Sequence, residues 1–357
     1  MRQKLGMAAF VLLLVAVWGA GFLWVRGDLD PSPGQGAVSA TRPSVSAAPS
    51  QSSRPSTGPT ANPYTGKVTP AEERRQVDVN PVRVRPRPLA LPPVVKFTMA
   101  TFNLLGSSHT RGGGKASRMA SGPQRIANAV SILDSHGVSV VGFQEFQPDQ
   151  RRAFAGRARG WEIYPGDGLG RGDGENSVAW RTDTWELVKP GSIPIPYFNG
   201  RVRQMPSVLL RNKETGVQAY FSNFHNPADT GRFRNQGRFR AVATSREITL
   251  FNQLESTGIP QFVTGDMNDR AEYFCRVTGS TPLIAAAGGS NNGGCAVPRP
   301  TQIDWILGSP KVEFSDYSVD RDALVRRTTD HPVVFTQVTI DALRFKGAYE
   351  PKAVTPG

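Results

Sequence analysis

Between Val94 and about Ile340 the chain alternates short apolar runs of two different periods. Val95–Phe102 alternates β-branched and aromatic residues with polar ones, which predicts a strand. Residues 118–133 place Ile126, Val130, Ile132 and Leu133 at helical spacing, which predicts a helix. Val138–Phe143 is apolar and short, as a buried strand is. Further strands are expected over 177–180, 208–210 and 217–222, the last two joined by a hairpin at Asn212-Lys-Glu-Thr-Gly216. Residues 233–254 carry their apolar side chains on one stripe and predict a second helix. Strands over 261–264, 302–307 and 333–339 complete the pattern. Strands mixed with a few helices and with hairpins argue for α+β layers rather than a strict βαβ repeat. A stretch of this length is ample for one core, and no repeat of solenoid period interrupts it.

The preceding residues read differently. Gly6–Val25 is a run of twenty residues without a charge. At about 1.5 Å per residue a helix of that length crosses a ~30 Å hydrocarbon layer. Arg2 and Lys4 precede it, which favours a cytoplasmic N-terminus. Val38-Ser39-Ala40 has the form of a signal-peptidase site but lies far beyond the run. A transmembrane anchor over 1–27 is therefore expected, with a cleaved secretory signal as the rival. Both place the rest of the chain outside the cytoplasm, in a single-pass membrane protein or a secreted one. Residues 28–93 are rich in Pro, Ser, Ala and Thr and poor in large apolar residues, so a disordered linker is expected. A folded domain over 94–342 and a C-terminal tail over 343–357 complete the expected organisation.

Net charge is +13, and residues 1–91 carry 11 Lys/Arg against 5 Asp/Glu, which leaves +7 for the rest. The folded part is thus mildly basic, which suits a phosphorylated or polyanionic substrate and equally a solvated surface. Cys275 and Cys295 are the two cysteines. An even count in an exported chain favours a disulfide over two free thiols, and excludes a cysteine zinc cage.

Six polar clusters each close an apolar run: Thr-Phe-Asn103, Phe-Gln-Glu145, Asn223-Phe-His225, Gly-Asp266-Met-Asn268, Ile-Asp304-Trp and Thr-Asp330-His331. Strand ends that deliver carboxylate, amide and imidazole groups to one place suit metal-assisted hydrolysis. Glu145 emerges from a buried run, where a carboxylate needs a cation or a salt-bridge partner; a hard divalent ion with oxygen ligands fits. Asn103 can ligate the ion, bond a carboxylate or simply cap the strand. Asp266 and Asn268 are two apart and share a face if the strand period persists; a plain Asp-Asn turn is the alternative. Pro332 biases His331 toward extended backbone. Asp330 beside it can orient the imidazole, or the pair can be a surface turn. Asp304 interrupts an apolar strand and can hold the tautomer of His225. Gly112-Gly-Gly-Lys115 lacks the upstream glycine and the hydroxyl of a P-loop. His109 lies in a loop from which it can reach substrate.

In these segments, over residues 95–340, the chain resembles the endonuclease/exonuclease/phosphatase superfamily, which includes DNase I-like nucleases, sphingomyelinases and inositol polyphosphate phosphatases. Met267 stands where that family often has Phe, and Thr329 where it often has Ser. The resemblance implies a DNase I-like four-layer α/β sandwich with the site at one edge. It implies that Glu145 binds Mg²⁺ (Mn²⁺ or Ca²⁺ as substitutes), with Asn103 assisting. His331, paired with Asp330, would activate the attacking water. His225, supported by Asp304, would contact the phosphate or protonate the leaving oxygen. Asp266 and Asn268 would position water and phosphate, and are candidates for a second metal. The expected protein is an extracytoplasmic, membrane-tethered, monomeric phosphoester hydrolase, in first place a nuclease. The same chemistry on a phospholipid or small phosphodiester is the alternative, and a non-catalytic surface binding module the alternative from another class.

Overall fold

Strand β1 (Val94–Asn103) shows how the fold is built: Val95, Phe97 and Met99 point into one core, Ala100 and Phe102 into another. A strand buried on both faces must sit in a layered molecule. The computed structural model describes residues 93–170 and 172–349. The expected anchor, and the linker up to its last residue, lie outside the described residues. Among the described residues no helix is long and apolar enough to cross a membrane.

After β1 come α1 (Gly122–Ser135), β2 (Val138–Gln144), α2 (Pro148–Arg157), β3 (Trp161–Tyr164), β4 (Ser177–Arg181), β5 (Trp185–Lys189), β6 (Ser192–Pro196), β7 (Val202–Asn212) and β8 (Gln218–His225). Then come α3 (Gly237–Glu255), β9 (Gln261–Asp266), α4 (Ala271–Ser280), β10 (Ile284–Ala285), β11 (Asp304–Gly308), β12 (Glu313–Asp320), α5 (Ala323–Thr328) and β13 (Val333–Asp341). One sheet has the order β12-β13-β1-β2-β4-β3, the other β10-β11-β9-β8-β7-β5, with β6 paired to β7. β1 with β2 and β8 with β9 are parallel; every other pair in the two sheets is antiparallel.

Three apolar clusters define the layers. Phe97, Met99, Val140 and Trp180 of the first sheet meet Val208, Phe221, Phe262 and Ile306 of the second. Phe97 makes edge-on contacts with Trp185, Phe221 and Phe262 at 5.1, 5.9 and 5.7 Å, the favoured geometry for aromatic pairs. Ile126, Phe143 and Phe154 cover the outer face of the first sheet with α1 and α2. Phe224, Phe251, Tyr273 and Trp305 cover that of the second with α3 and α4. This is the expected four-layer α/β sandwich.

Toward the C-terminal ends of β1, β2, β8 and β9 the contact between the sheets changes from apolar to polar. Gln144 Nε2 donates to Thr101 Oγ1 at 3.1 Å and to Asn223 Oδ1 at 2.6 Å, and Thr264 Oγ1 donates to Asn223 Oδ1 at 3.1 Å. Asn223 Nδ2 donates to the Phe143 and Ser177 carbonyls at 2.7 and 3.2 Å. Gly142 makes this approach possible, because a Cβ there would overlap Thr264 Oγ1 and Asn223 Oδ1.

Several elements depart from the expected boundaries. The first helix starts at Gly122 rather than 118, and the long one at Gly237 rather than 233. The expected strand over 302–307 begins at Asp304, so this acid opens the strand rather than interrupting it. The domain continues past 342: Phe345 and Ala348 are buried, and the Gln218 N–H donates to the Ala348 carbonyl at 2.8 Å. Cys275 on α4 is disulfide-bonded to Cys295, with 5.6 Å between the Cα atoms.

One buried acid lies away from the sheet ends. Glu247 of α3 is fully buried, and neither carboxylate oxygen closes a hydrogen bond of normal geometry, although Asn226 and Tyr273 stand beside it. Burial pushes its carboxyl up to about 7, against the lowering effects of Asn226, Tyr273 and Arg276. The unfolded chain releases this proton near 4.5. Stability therefore falls as pH rises between those two values, and the cost, about 3 kcal/mol, is complete above them.

This packing leads to two expected outcomes. Gly142→Ala should lower unfolding stability by about 1–3 kcal/mol in denaturant titration, since two polar side chains must shift; an unchanged midpoint would show that the sheets part easily there. Glu247→Gln should gain stability relative to the parent progressively from pH 5 to pH 8. A difference between the two proteins that is flat in pH would mean the carboxyl is already ionised in the folded state.

Candidate active site

The strand register assembles the site. His225 of β8 pairs with Asp266 of β9, and Asp304 of β11 pairs with the same Asp266. Because β8 and β9 are parallel and β11 runs against them, the last residues of two strands and the first of a third form one rung. In the other sheet Asn103 of β1 pairs with Gln144 of β2. The period of two then decides direction. Phe221 and Asn223 face the first sheet and so does His225; Phe262 and Thr264 do and so does Asp266. Groups spread over two hundred residues thus converge in the mouth between the sheets.

Asp266 is the hub. Its Oδ2 accepts from Asn103 Nδ2 at 3.0 Å and stands 3.5 Å from His225 Nε2 and 3.7 Å from His331 Nε2; its Oδ1 accepts from the Asn268 N–H at 3.0 Å. Asn103 also donates to Glu145 Oε1 at 3.3 Å, and its own Oδ1 accepts from the Leu105 N–H at 3.0 Å. That acceptor role fixes which way the amide faces: its NH₂ bridges the two carboxylates. Glu145 Oε2 accepts from the Gly106 N–H at 2.8 Å and lies 3.1 Å from His109 Nε2. Burial alone would raise the Glu145 carboxyl. The His109 hydrogen bond, the His225 charge and the Gly106 N–H outweigh it and hold the group well below the usual carboxylate range.

The turns that leave the strands are bent tightly. Leu105, Glu145 and Asn268 have φ of 52°, 55° and 49°. For residues with a Cβ the left-handed region costs roughly 1–2 kcal/mol each, and such residues cluster where function demands a direction. A buried guanidinium ties the first of these turns to the end of α5. Arg125 of α1 donates from Nη1 to the Leu104 carbonyl (2.6 Å) and the Thr328 carbonyl (2.5 Å), and from Nη2 to the Leu105 carbonyl (2.5 Å). Thr329 Oγ1 donates to the Asn103 carbonyl at 2.7 Å and accepts from the His331 N–H at 3.2 Å, tying the His331 turn to the end of β1.

Two expected pairings are corrected. His331 Nδ1 lies 3.1 Å from both oxygens of Asp304, so Asp304 serves His331 and not His225. Asp330 turns away and pairs with Lys115 Nζ at 3.0 Å. Both residues lie in the bend between α5 and β13, where Lys115 takes the Asp330 carboxylate and Asp304 takes the His331 ring. His225 instead has Tyr197, whose hydroxyl is 3.2 Å from Nδ1. Burial would lower the His331 imidazole, but the Asp304 bond and charge, with Asp266 and Asp330 nearby, push it up to about 10. Asp304 thereby holds the ring toward its protonated form.

A cavity of about 290 Å³ opens on these groups, lined by Glu145, His225, Asp266, Asn268 and His331. Asn103 and Asp304 lie directly beneath, fully buried. All the expected site residues except Asp330 therefore converge. Asn223, noted in the sequence beside His225, belongs to the polar contact between the sheets. Glu175, Tyr197, Arg203 and Gln147 line the cavity unanticipated. So does Lys115, which ends the glycine run that fails as a P-loop. Burial raises the Glu175 carboxyl; the Arg203 charge opposes this and the Glu145 charge adds to it. The two carboxyl groups share the cavity. Their oxygen donors suit a hard cation. Asp266, Asp304 and His331 also form a compact group of metal-capable side chains.

The family model described as "Endonuclease/Exonuclease/phosphatase family" matches residues 100–331. Among solved structures, the chain is similar to an endonuclease/exonuclease/phosphatase family protein from Bacteroides thetaiotaomicron, with 18% identity over 70% of this chain and 99% of that one, and a TM-score of 0.56. It is similar to the mannosyl-6-phosphatase of the same organism at 18% identity, 68% and 99% coverage and a TM-score of 0.50. It is also similar to the human nocturnin catalytic domain with bound sulfate, at 17% identity, 70% and 98% coverage and a TM-score of 0.50. At these identities the likeness establishes a shared fold. No curated protein sequence matches the chain.

If the Asp304 carboxylate holds the His331 proton, Asp304→Asn should bring the His331 titration down, to or below the ordinary imidazole value, because burial remains while the charge is gone. Proton NMR titration of the imidazole with chelator present reads this; a titration left in place would assign the shift to Asp266.

Proposed function

We propose, because the chain belongs to the endonuclease/exonuclease/phosphatase family, that it is a divalent-cation-dependent nuclease acting outside the cytoplasm. Membership makes it a phosphoester hydrolase by class. The observation that carries the finer reading is the single cavity on which Glu145, His225, Asp266, Asn268 and His331 open together.

Glu145, ionised and facing Glu175, would hold Mg²⁺, with the Asn103 amide orienting the carboxylate rather than ligating. The bound ion would neutralise phosphoryl oxygens and polarise phosphorus. His331, held by Asp304, would contact a non-bridging oxygen and stabilise charge that develops there. His225, with Nδ1 on Tyr197, presents Nε2 to the cavity, where it can protonate the leaving oxygen. Asp266 accepts from the attacking water, and Asn268 fixes its direction. Asn268 Nδ2 is itself held by the Asn226 carbonyl at 2.9 Å. Lys115 and Arg203 add positive charge at the rim. Asp330 serves this site through its ion pair with Lys115 and its charge beside His331.

The Cys275–Cys295 disulfide supports an oxidising compartment, in line with an exported, membrane-tethered chain. The basic balance of the folded part favours nucleic acid over a neutral substrate. The protein would act as a monomer. A phospholipid or a small phosphoester is the second reading.

The test is turnover of plasmid DNA, single-stranded DNA, RNA, sphingomyelin and a sugar phosphate by the full chain, with Mg²⁺ and with chelator. Nucleic acid should be cleaved only with the ion, and His331→Ala or Glu145→Gln should each cost about 10² or more in rate. Turnover confined to the lipid or the sugar phosphate would replace the nuclease reading, and equal activity in chelator would remove the metal.

A further inference from the structure

We infer that the rim of this cavity carries a base-stacking subsite for single-stranded nucleic acid, built from Phe198 and Phe233; the inference rests on the nuclease reading. Phe198, just after β6, lines the cavity. Its ring stacks on Phe233 at 4.5 Å and 18°, and Phe233 comes from the turn after His225. Tyr197, which touches His225, adjoins Phe198 with ring centroids 4.5 Å apart. Neither Phe198 nor Phe233 belongs to any of the three cores. Both are half-buried on loops, and together they make an aromatic patch at the cavity edge.

The ends of this aromatic wall carry charge. Arg203 stands over Tyr197 at 5.8 Å and Arg232 over Phe233 at 5.3 Å. Guanidinium, three rings, guanidinium is the complement of phosphate, base, phosphate along one strand. A paired base keeps its faces stacked on its neighbours and cannot offer one to a wall, so the arrangement selects an unpaired strand. The chemistry does not suit a lipid: rings tied to one another and flanked by cations at both ends do not form an apolar tip.

The wall is also held in place before any ligand arrives. The Asn199 N–H donates to Gln236 Oε1 at 2.9 Å, and Gln236 Nε2 donates back to Asn199 Oδ1 at 3.2 Å. Gln236 is buried, so this paired amide clamps the two loops that carry the rings. Asn199 and Asn235 both adopt positive φ, 54° and 57°, to close the clamp. Preorganised rings lose little freedom on binding.

The experiment is equilibrium binding by the full chain carrying His331→Ala, so that no turnover is needed. The probes are a fluorescent single-stranded oligonucleotide, the same length of abasic strand, and the duplex. The base-bearing strand should bind about tenfold or more tighter than the abasic one, and tighter than the duplex. Phe198→Ala and, separately, Phe233→Ala should bring that ratio toward one while abasic binding stays put; Phe198→Trp should preserve it. Equal affinity of the parent for base-bearing and abasic strands overturns the subsite without reference to any variant. Equal loss on both probes in a variant that melts like the parent overturns it too. Failure of hydrolysis on every phosphoester would strike the nuclease reading instead, and is read in a separate assay.

Discussion

A carboxylate with almost no water around it organises this molecule. Asp266 is 1% exposed. A lone ion in that position would cost several kcal/mol of lost solvation. Its position is sustained because Asn103, the Asn268 N–H and two imidazoles meet it, and those groups arrive from both sheets. The bond from Asn103 matters most for the architecture, because it joins the end of a strand in one sheet to the end of a strand in the other. The sheets must therefore meet at this edge in one register. A slip of a single residue would turn His225, Asp266 and Asp304 toward the helices and put Phe224, Gly265 and Trp305 in the mouth.

The same constraint explains the polar layer beneath the site. Close to a cluster of ions, apolar packing between sheets gives way to the side chains of Thr101, Gln144, Asn223 and Thr264, which bond to one another. Directional bonds of this kind fix distance and angle where dispersion would tolerate a shift. Gly142 keeps the space for them. Arg125 acts similarly on the flank: it brings three carbonyls from two separate loops onto one guanidinium. Burial lowers its pKa, though Asp330, Glu145 and Asp149 support its charge.

Much of this was legible from residue order. The strands that carry the site are buried and short, and their periodicity places them correctly. The acids at their ends stand out because an ionisable group beside an apolar run demands an explanation. What periodicity missed has physical causes. The sequence of α2, Pro-Asp-Gln-Arg-Arg-Ala-Phe-Ala-Gly-Arg, buries Gln150 and Arg151 together with Ala153 and Phe154, so no apolar stripe marks it. β12 is an edge strand, half polar on both faces. β6 and the first half of β7 are broken in pattern by Pro194, Pro196 and Pro206, so that periodicity marks only 208–210 of β7 as strand. α5 is six residues long, too short to show a period. The amphipathic α4 carries its signal in only three buried residues, Tyr273, Phe274 and Val277, over ten positions.

Pairing is the level at which sequence adjacency misleads. Asp330 is next to His331 along the chain and is not its partner; Asp304 is twenty-seven residues away and is. Neighbours along the bend find different partners, whereas strand register brings distant residues together. The same holds for Tyr197, which reaches His225 only because the loop after β6 folds over the end of β8. It holds for Glu175, whose carboxyl shares a cavity with Glu145, thirty positions away along the chain. Two carboxyl groups delivered to one cavity from separate strand ends are invisible in one dimension. In three they stand among Lys115, Arg203 and the imidazoles of His225 and His331, where opposite charge offsets the water they have lost.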